Sequence, residues 1–158
     1  MLIFVLLIIK EIMFSKACEY AIRSVIFIAI ASLEGERVGF KEIAKGIDSP
    51  EAFTAKTLQK LSGSGIINSV KGVGGGFEIP VERLSKIKLS EVVDLIDGDN
   101  IYKGCGLGLA RCSETKPCPV HDKFKVIREG LREMLETTTL EELANGTKSG
   151  DTFLKVIV

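Results

Sequence analysis

The sequence is poor in the groups that most enzyme sites need. Its 158 residues include a single histidine, and no serine lies in a nucleophile-elbow motif, which argues against a nucleophile–base catalytic site. There is no P-loop, and the glycine-rich stretch 72–76 is not followed by the helix that a phosphate-binding fingerprint needs. We therefore expect a protein that is not an enzyme and has no small-molecule substrate.

An excess of charge of either sign is also missing. The chain has 21 basic and 21 acidic residues, so its net charge gives no hint of a polyanionic partner. Residues 13–88 hold eleven Lys and Arg against eight Asp and Glu, and residues 89–158 hold nine against twelve. This mild asymmetry permits nucleic-acid binding by the first half without requiring it.

Long hydrophobic runs are absent, apart from a short one at the start of the chain. Residues 1–9 are apolar, but a membrane span needs about 20 such residues. The run also lacks the basic flank before it and the small-residue cleavage site after it that mark a signal peptide. We interpret residues 1–12 as an N-terminal extension, with Met13 as the natural start, and expect no association with a membrane.

Cysteine is sparse and unevenly placed. Four cysteines in a chain of this length do not form the disulfide framework of a secreted protein, so we expect a cytoplasmic location. Three of them, Cys105, Cys112 and Cys118, lie with the sole histidine, His121, within 17 residues. Thiolates and imidazole are ligands that iron–sulfur clusters and zinc prefer, and the intervening glycines let a loop fold around a metal. We therefore predict a metal-binding loop here, whereas Cys18, on an apolar helix, is expected to be a small buried hydrophobic residue.

The first half of the chain predicts three helices. Apolar residues recur at intervals of three and four between Ser15 and Leu33, and Ser15 is a suitable N-cap. Two shorter helices are expected at 40–46 and 51–61, separated by a turn at 47–50 that contains a cap residue and a first-turn proline. Apolar spacing places Phe40 and Phe53 on the inward faces of these two helices.

A glycine-rich hairpin follows the third helix. Strands are expected at 66–71 and 77–79, joined by the stretch 72–76. Two short helices joined by a tight turn and followed by a hairpin is the order of a winged helix-turn-helix. We therefore expect a mainly α fold with a small β-hairpin wing, forming a DNA-binding domain over residues 13–97.

The second half predicts a loop and a long helix. A short helix at 89–96 leads into the cysteine loop, 98–120, and a long helix is expected over 119–137. Apolar residues spaced by four and three form one stripe along it: Val120, Phe124, Ile127, Leu131 and Met134. Because helix-turn-helix proteins usually pair over two half-sites, we interpret this helix as a homodimerisation helix, followed by a tail at 138–158.

Four stretches of the sequence resemble one known family. They are the start of the first helix, SKACEYAIR at 15–23, the third helix, SPEAFTAKTLQKL at 49–61, the hairpin tip, SVKGVGGGF at 69–77, and the cysteine loop. Over residues 13–144 the chain resembles the IscR/NsrR-type winged-helix regulators of the Rrf family, dimeric bacterial repressors of which many carry an iron–sulfur cluster. The tip departs from the family's usual Arg, Pro and Tyr at Lys71, Val73 and Phe77, and the first cysteine spacing is one residue longer.

The resemblance implies a set of cluster ligands. Cys105, Cys112 and Cys118 match three of them. The fourth ligand has two candidates: His121, by similarity to members with a 2Fe–2S cluster, or Glu19 from the other subunit, by similarity to members with a 4Fe–4S cluster. Loss or nitrosylation of such a cluster would free the loop and change the relative placement of the two DNA-binding domains of a dimer.

Two alternatives to a cluster stay open. Three cysteines and one histidine also form a common structural zinc set, although zinc fingers usually pair two cysteines two to four residues apart. A thiol switch, in which two of the three cysteines form a disulfide on oxidation, is the other alternative.

The same resemblance makes the third helix a recognition helix for double-stranded operator DNA. Glutamine can pair with adenine in the major groove, whereas lysines more often contact phosphate, and wing glycines let backbone N–H groups approach a phosphate. The candidate DNA-binding residues are Thr54, Lys56, Thr57, Gln59, Lys60, Lys71, Gly74, Gly75 and Gly76. Thr57 also fits the inward stripe of its helix, which makes it the weakest candidate.

Overall fold

The computed structural model describes residues 13–155. The proposed extension at 1–12 and the last three residues of the apolar tail lie outside this range. The elements are α1 (Lys16–Leu33), α2 (Phe40–Gly46), α3 (Glu51–Gly63), β1 (Asn68–Val70), β2 (Gly76–Glu78), α4 (Val81–Leu84), α5 (Leu89–Asp97), α6 (Asn100–Lys103), α7 (His121–Thr137) and α8 (Leu140–Lys148).

The first helix is the centre of the fold. The Ser15 side chain caps α1 by accepting a hydrogen bond of 3.0 Å from the Cys18 N–H, as its sequence position predicts. One face of α1 contacts α3 and α5, and the returning helix α8 packs against it as well. Leu140 and Ala144 bring α8 into the core and are fully buried. The chain thus closes its second half onto its first helix, because that helix has apolar residues around most of its circumference.

The main hydrophobic core lies between α1, α2, α3 and the hairpin. Its fully buried side chains include Ile28, Ile43, Leu58 and Leu61. In a second, smaller cluster, Cys18, Tyr102 and Leu135 pack together with Leu89 and Val93 of α5. The second cluster joins α7 to the helical domain.

The turn between α2 and α3 is stabilised by local hydrogen bonds. Asp48 takes a positive φ of 53°, and the Thr54 hydroxyl donates to the Pro50 carbonyl at 2.9 Å. Pro50 is the N-cap of α3, which starts at Glu51 as expected and ends at Gly63, two residues beyond the expected end. Local hydrogen bonding of this kind holds α3 at a defined angle to α2.

The hairpin is shorter than its sequence predicts. β1 and β2 pair antiparallel, with Asn68 opposite Glu78, Ser69 opposite Phe77 and Val70 opposite Gly76. Phe77 also exchanges two backbone hydrogen bonds with Val38, which attaches the hairpin to the α1–α2 connection. The observed fold is therefore mainly helical with one small two-stranded antiparallel sheet, and the expected fold class is confirmed.

The C-terminal half differs from expectation in two places. The short helix α6 was not predicted, and α7 begins at His121, not at Pro119. Leu131 packs against the smaller cluster, whereas Val126, Ile127 and Met134 are exposed. The expected apolar stripe is thus divided between the domain and the solvent. Within residues 13–155, no helix is both long and apolar enough to cross a membrane.

Candidate functional site

The exposed face of α3 holds some, but not all, of the expected DNA-binding residues. Lys56, Gln59 and Lys60 are exposed. Thr54 is fully buried and Thr57 is 5% exposed, because both face the core beside Leu58 and Leu61. Neither threonine is accessible to a DNA groove in this structure, so of the five expected residues of α3 only Lys56, Gln59 and Lys60 are exposed.

Aromatic residues beside this face correct a second expectation. Phe53, expected to point inward, is 51% exposed, and Phe40 is also exposed. The Phe53 ring lies 6.0 Å from the ring of Tyr20 on α1, at an interplanar angle of 59°. The Arg23 guanidinium lies 4.9 Å from the Tyr20 ring centre and donates to the Ile47 carbonyl at 2.8 Å. Sequence periodicity missed this cluster, because it joins α1, α3 and the α2–α3 turn, which are far apart in the chain.

The wing is held in place by its glycines and by one arginine. A Cβ on Gly75 would lie 2.3 Å from the Val70 carbonyl oxygen, so only glycine fits there. Arg37 forms a 2.7 Å ion pair with Glu78 and donates to the Gly74 carbonyl at 3.3 Å. Lys71 remains exposed beside the tip. Sequence analysis did not single out Arg37, whose role depends on the approach of the α1–α2 connection to the hairpin.

The cysteine loop brings its expected donors together in two pairs. The Cys105 and Cys118 sulfurs are 3.9 Å apart, and the Cys112 sulfur lies 3.3 Å from His121 Nδ1. Two sulfur ligands of one tetrahedral metal at about 2.3 Å are separated by about 3.8 Å, so the first pair has the spacing of ligands to a single metal atom. Among residues 13–155, no three His, Cys, Asp or Glu side chains converge on one metal-sized point. The donor set is therefore a two-plus-two arrangement.

Glu19 lies apart from these two pairs. It is in the first turn of α1, and its carboxylate forms an ion pair of 2.9 Å with Lys16 on the same helix. Both side chains are substantially exposed. Glu19 is thus accessible at the surface of the subunit, where its closest charged partner is the Lys16 ammonium group.

The side chains that hold the loop come from α7. Arg128 donates to the Gly104 carbonyl and to the Cys112 sulfur, the latter at 3.2 Å. Phe124 packs so closely on Gly106 that a Cβ there would lie 2.5 Å from its ring, and Lys125 forms a 2.7 Å ion pair with Glu114. Sequence analysis missed Arg128, although its position seven residues after His121 places both on one face of a helix.

Cys105 and Cys18 differ in their electrostatic environments. Hydrogen bonds from the backbone at Leu107 and Leu109, followed by smaller contributions that include Cys118 and the Arg128 charge, lower the pKa of the Cys105 thiol. Burial, together with the nearby carboxylate of Asp97, raises the pKa of Cys18 to about 12. Cys105 is therefore disposed to ligate or react as a thiolate, whereas Cys18 stays a neutral buried thiol.

Comparison with known proteins identifies the family of this chain. The sequence model of the Rrf2 family, described as iron-dependent transcriptional regulators, matches residues 14–146, and the chain belongs to this family. A relative from Aquifex aeolicus, named as an HTH-type transcriptional regulator, is 34% identical over 135 residues, which are 84% of this chain and 91% of that one. The HTH-type transcriptional regulator IscR of Klebsiella pneumoniae is 26% identical over 127 residues, 80% of this chain and 76% of that one.

Solved structures show the same fold. CymR of B. subtilis, described as its global cysteine regulator, superposes with a TM-score of 0.68 at 21% identity, over 85% of this chain and 98% of that one. IscR of T. potens superposes with a TM-score of 0.67 at 16% identity, over 87% of this chain and 90% of that one. The family and its relatives are DNA-binding transcriptional regulators and not enzymes, which confirms the expectation drawn from the sequence.

Proposed function

We propose that this regulator binds a specific double-stranded operator as a homodimer, acts as a repressor, and is controlled by an iron–sulfur cluster in the cysteine loop. The reading of DNA would combine two surfaces. Gln59 would contact base edges, while Lys56, Lys60 and Lys71 would contact phosphates; all four side chains are exposed, which supports these roles. At the wing tip Gly74 is exposed, whereas Gly75 and Gly76 are half-buried and the Gly75 N–H already donates to the Gly72 carbonyl at 3.0 Å. Gly74 is therefore the wing glycine that we propose approaches a phosphate.

The observation that carries the cluster proposal is the pairing of donors in the loop. Cys105 with Cys118, and Cys112 with His121, form two pairs, and no three such side chains converge on one point within residues 13–155. Two pairs suit a cluster with two metal atoms better than a single tetrahedral zinc ion. The residues therefore fit a 2Fe–2S cluster, which when bound would supply a centre sensitive to redox change and nitric oxide. Glu19 of a second subunit remains the alternative fourth ligand, with a 4Fe–4S cluster.

Support for the dimer comes from α7. Val126 and Ile127 are 70% and 64% exposed, and Met134 follows them along the same helix. Gly130, between them, has open space around its Cα. An exposed apolar stripe on a long surface helix suits a second copy of the same helix. Replacing Ile127 by Glu should convert dimer to monomer in analytical ultracentrifugation, while Glu136→Lys, at an exposed polar position on the opposite side of α7, should not.

The same helix offers a path from sensor to reader. His121, Phe124 and Arg128 contact the cysteine loop, while Leu135 is buried in the cluster that contains Cys18 of α1. A change in the conformation of the loop would therefore alter its contacts with α7 and could shift this helix, which carries the proposed dimer surface. Two arrangements of α7 would set two spacings of the recognition helices.

The decisive experiment is purification without oxygen, followed by visible absorption and assay of iron, sulfide and zinc. Matched iron and sulfide at two per chain would support the 2Fe–2S proposal, with His121→Ala reducing the iron content and Glu19→Gln leaving it unchanged. The reverse sensitivity with four irons would make Glu19 the ligand. A colourless protein with one zinc per chain would overturn the cluster and leave a structural zinc loop.

A thiol switch is the second candidate, and one distance favours it. The Cys105 and Cys118 sulfurs are 3.9 Å apart, so a small movement would bring them to the bonding distance of about 2.05 Å. Oxidation by a peroxide would join them as a disulfide, each thiol losing one proton and one electron to the oxidant. Peptide mapping after oxidation would show a Cys105–Cys118 crosslink, and operator affinity would change without any metal.

A further inference from the structure

We propose that Arg128 is a positioning residue for the cysteine loop: it fastens the loop to α7 before any metal binds and places a permanent positive charge beside Cys112. The cluster part of this inference rests on the proposed function. The fastening part does not, because it concerns contacts made by the metal-free chain.

Arg128 joins two separate points of the loop. Its Nη1 donates to the carbonyl of Gly104, at the end of α6, and to the sulfur of Cys112, in the middle of the loop. His121 contacts the same sulfur from two turns earlier on α7. Cys112 is therefore held between two side chains of a single helix. Of these two, only Arg128 also binds Gly104, where the loop begins.

The loop has few other restraints. Between Cys105 and Val120 none of its side chains is buried, and Leu107 and Leu109 are exposed. The Lys125–Glu114 ion pair is largely exposed and therefore contributes little to holding the loop. Ordering a loop costs conformational entropy, so a contact that orders it beforehand raises its affinity for whatever it binds. Removing Arg128 should thus weaken metal binding although no ligand is removed.

The charge of Arg128 has a separate effect. A guanidinium is always protonated, and three thiolate ligands around a cluster are negative. A positive hydrogen-bond donor at a ligand sulfur stabilises the more negative, reduced form of a cluster and raises its reduction potential. Arg128→Gln should therefore lower the potential, whereas Arg128→Lys, which keeps the charge but loses the planar fork, should keep most of it.

The test compares Arg128→Gln and Arg128→Lys with Arg132→Gln. Arg132 is a matched control, because it is an arginine one turn further along α7 that stacks 5.1 Å from the Tyr102 ring centre. In metal-free protein, hydrogen exchange of residues 104–118 should be at least several-fold faster in Arg128→Gln and unchanged in Arg132→Gln. In loaded protein, Arg128→Gln should lose iron to a chelator several-fold faster and show a more negative midpoint potential.

Each result has one meaning. If hydrogen exchange of the loop is unchanged in Arg128→Gln, the fastening role is overturned. If Arg128→Gln and Arg128→Lys both keep the midpoint potential of the wild type, the electrostatic role is overturned. If the wild type takes up no iron and sulfide, the proposed function fails. The exchange measurement then still decides whether Arg128 fastens the loop.

Discussion

The reading domain and the cysteine loop are built in opposite ways. In the domain, α1, α2, α3 and the hairpin surround fully buried side chains such as Ile28, Leu58 and Leu61. In the loop, residues 105–120 bury none of their side chains and are held by a few polar contacts to α7 and by the packing of Phe124 on Gly106. A region stabilised by hydrophobic burial keeps its shape without a ligand, whereas a loop held by a few polar contacts can change when one ligand leaves. We therefore expect the helical domain to be rigid and the cysteine loop to be adaptable.

Truncating one side chain in each region should give the largest difference in stability between the two. Leu61→Ala removes a fully buried side chain of α3 and should lower the free energy of unfolding by about 2–5 kcal/mol. Leu109→Ala, at an exposed loop position, should change it by less than about 0.5 kcal/mol. Urea denaturation of both variants measures the difference. A similar loss in both would mean that the loop is part of the cooperative unit.

Backbone strain provides a second comparison. Gly76 has a φ of 135°, and a Cβ there would lie 2.9 Å from the Val38 carbonyl oxygen, so Gly76→Ala should cost about 1–3 kcal/mol. Gly108 in the loop also has a positive φ, 73°, but nothing lies within 4 Å of a Cβ there. Gly108→Ala should cost less, because the loop can relax. Thermal melts rank the two, and a larger shift for Gly108→Ala would contradict this picture.

The cysteines of the two regions predict opposite behaviour at high pH. Burial raises the pKa of Cys18 from 9.0 to about 12, so its protonated form is favoured in the native state. Its contribution to stability is complete below pH 9 and is lost as pH rises toward 12, with a slope of up to about 1.4 kcal/mol per pH unit.

Denaturation at pH 8 and pH 10 tests this sign. Cys18→Ala should reduce the loss of stability between the two values, whereas Cys105→Ala should not, because the pKa of Cys105 is lowered and not raised. Some alkaline loss should remain in Cys18→Ala. This remaining loss comes from Tyr102. The Tyr102 hydroxyl donates to Asp94 and is partly buried, and both effects raise its pKa to about 12. Equal slopes in wild type and Cys18→Ala would show that Cys18 does not titrate as described.

The smallest expected effect concerns charge at the DNA-reading surface. Lys56→Gln should weaken operator binding about equally for all sequences and reduce the slope of log affinity against log salt by about one. Lys116→Gln, an equally conservative change at an exposed loop position, should leave the slope unchanged. Fluorescence anisotropy at several salt concentrations measures both. If only Lys116→Gln changed the slope, the phosphate contact would have to be made by the cysteine loop and not by α3.

Prediction from the sequence was strongest where the pattern was local. The period of α1, the Ser15 cap, the helix–turn–helix order and the glycine-rich wing all follow from neighbouring residues, and the structure confirms them. Prediction failed where apolar residues were assigned to a face. Phe40 and Phe53 are exposed, while Thr54 is buried. A methyl and a hydroxyl that donates to the Pro50 carbonyl allow a threonine to replace an apolar residue in the core.

By itself, the sequence determined the class of fold, the family, and the set of donors in the cysteine loop, because each depends on residue type and spacing along the chain. The tertiary structure decided which faces of α3 and α7 are exposed, how the loop donors pair, and that Arg37 and Arg128 hold the wing and the loop. These features join residues that are distant in sequence. They depend on how the helices pack around the hydrophobic core, which local spacing along the chain does not specify.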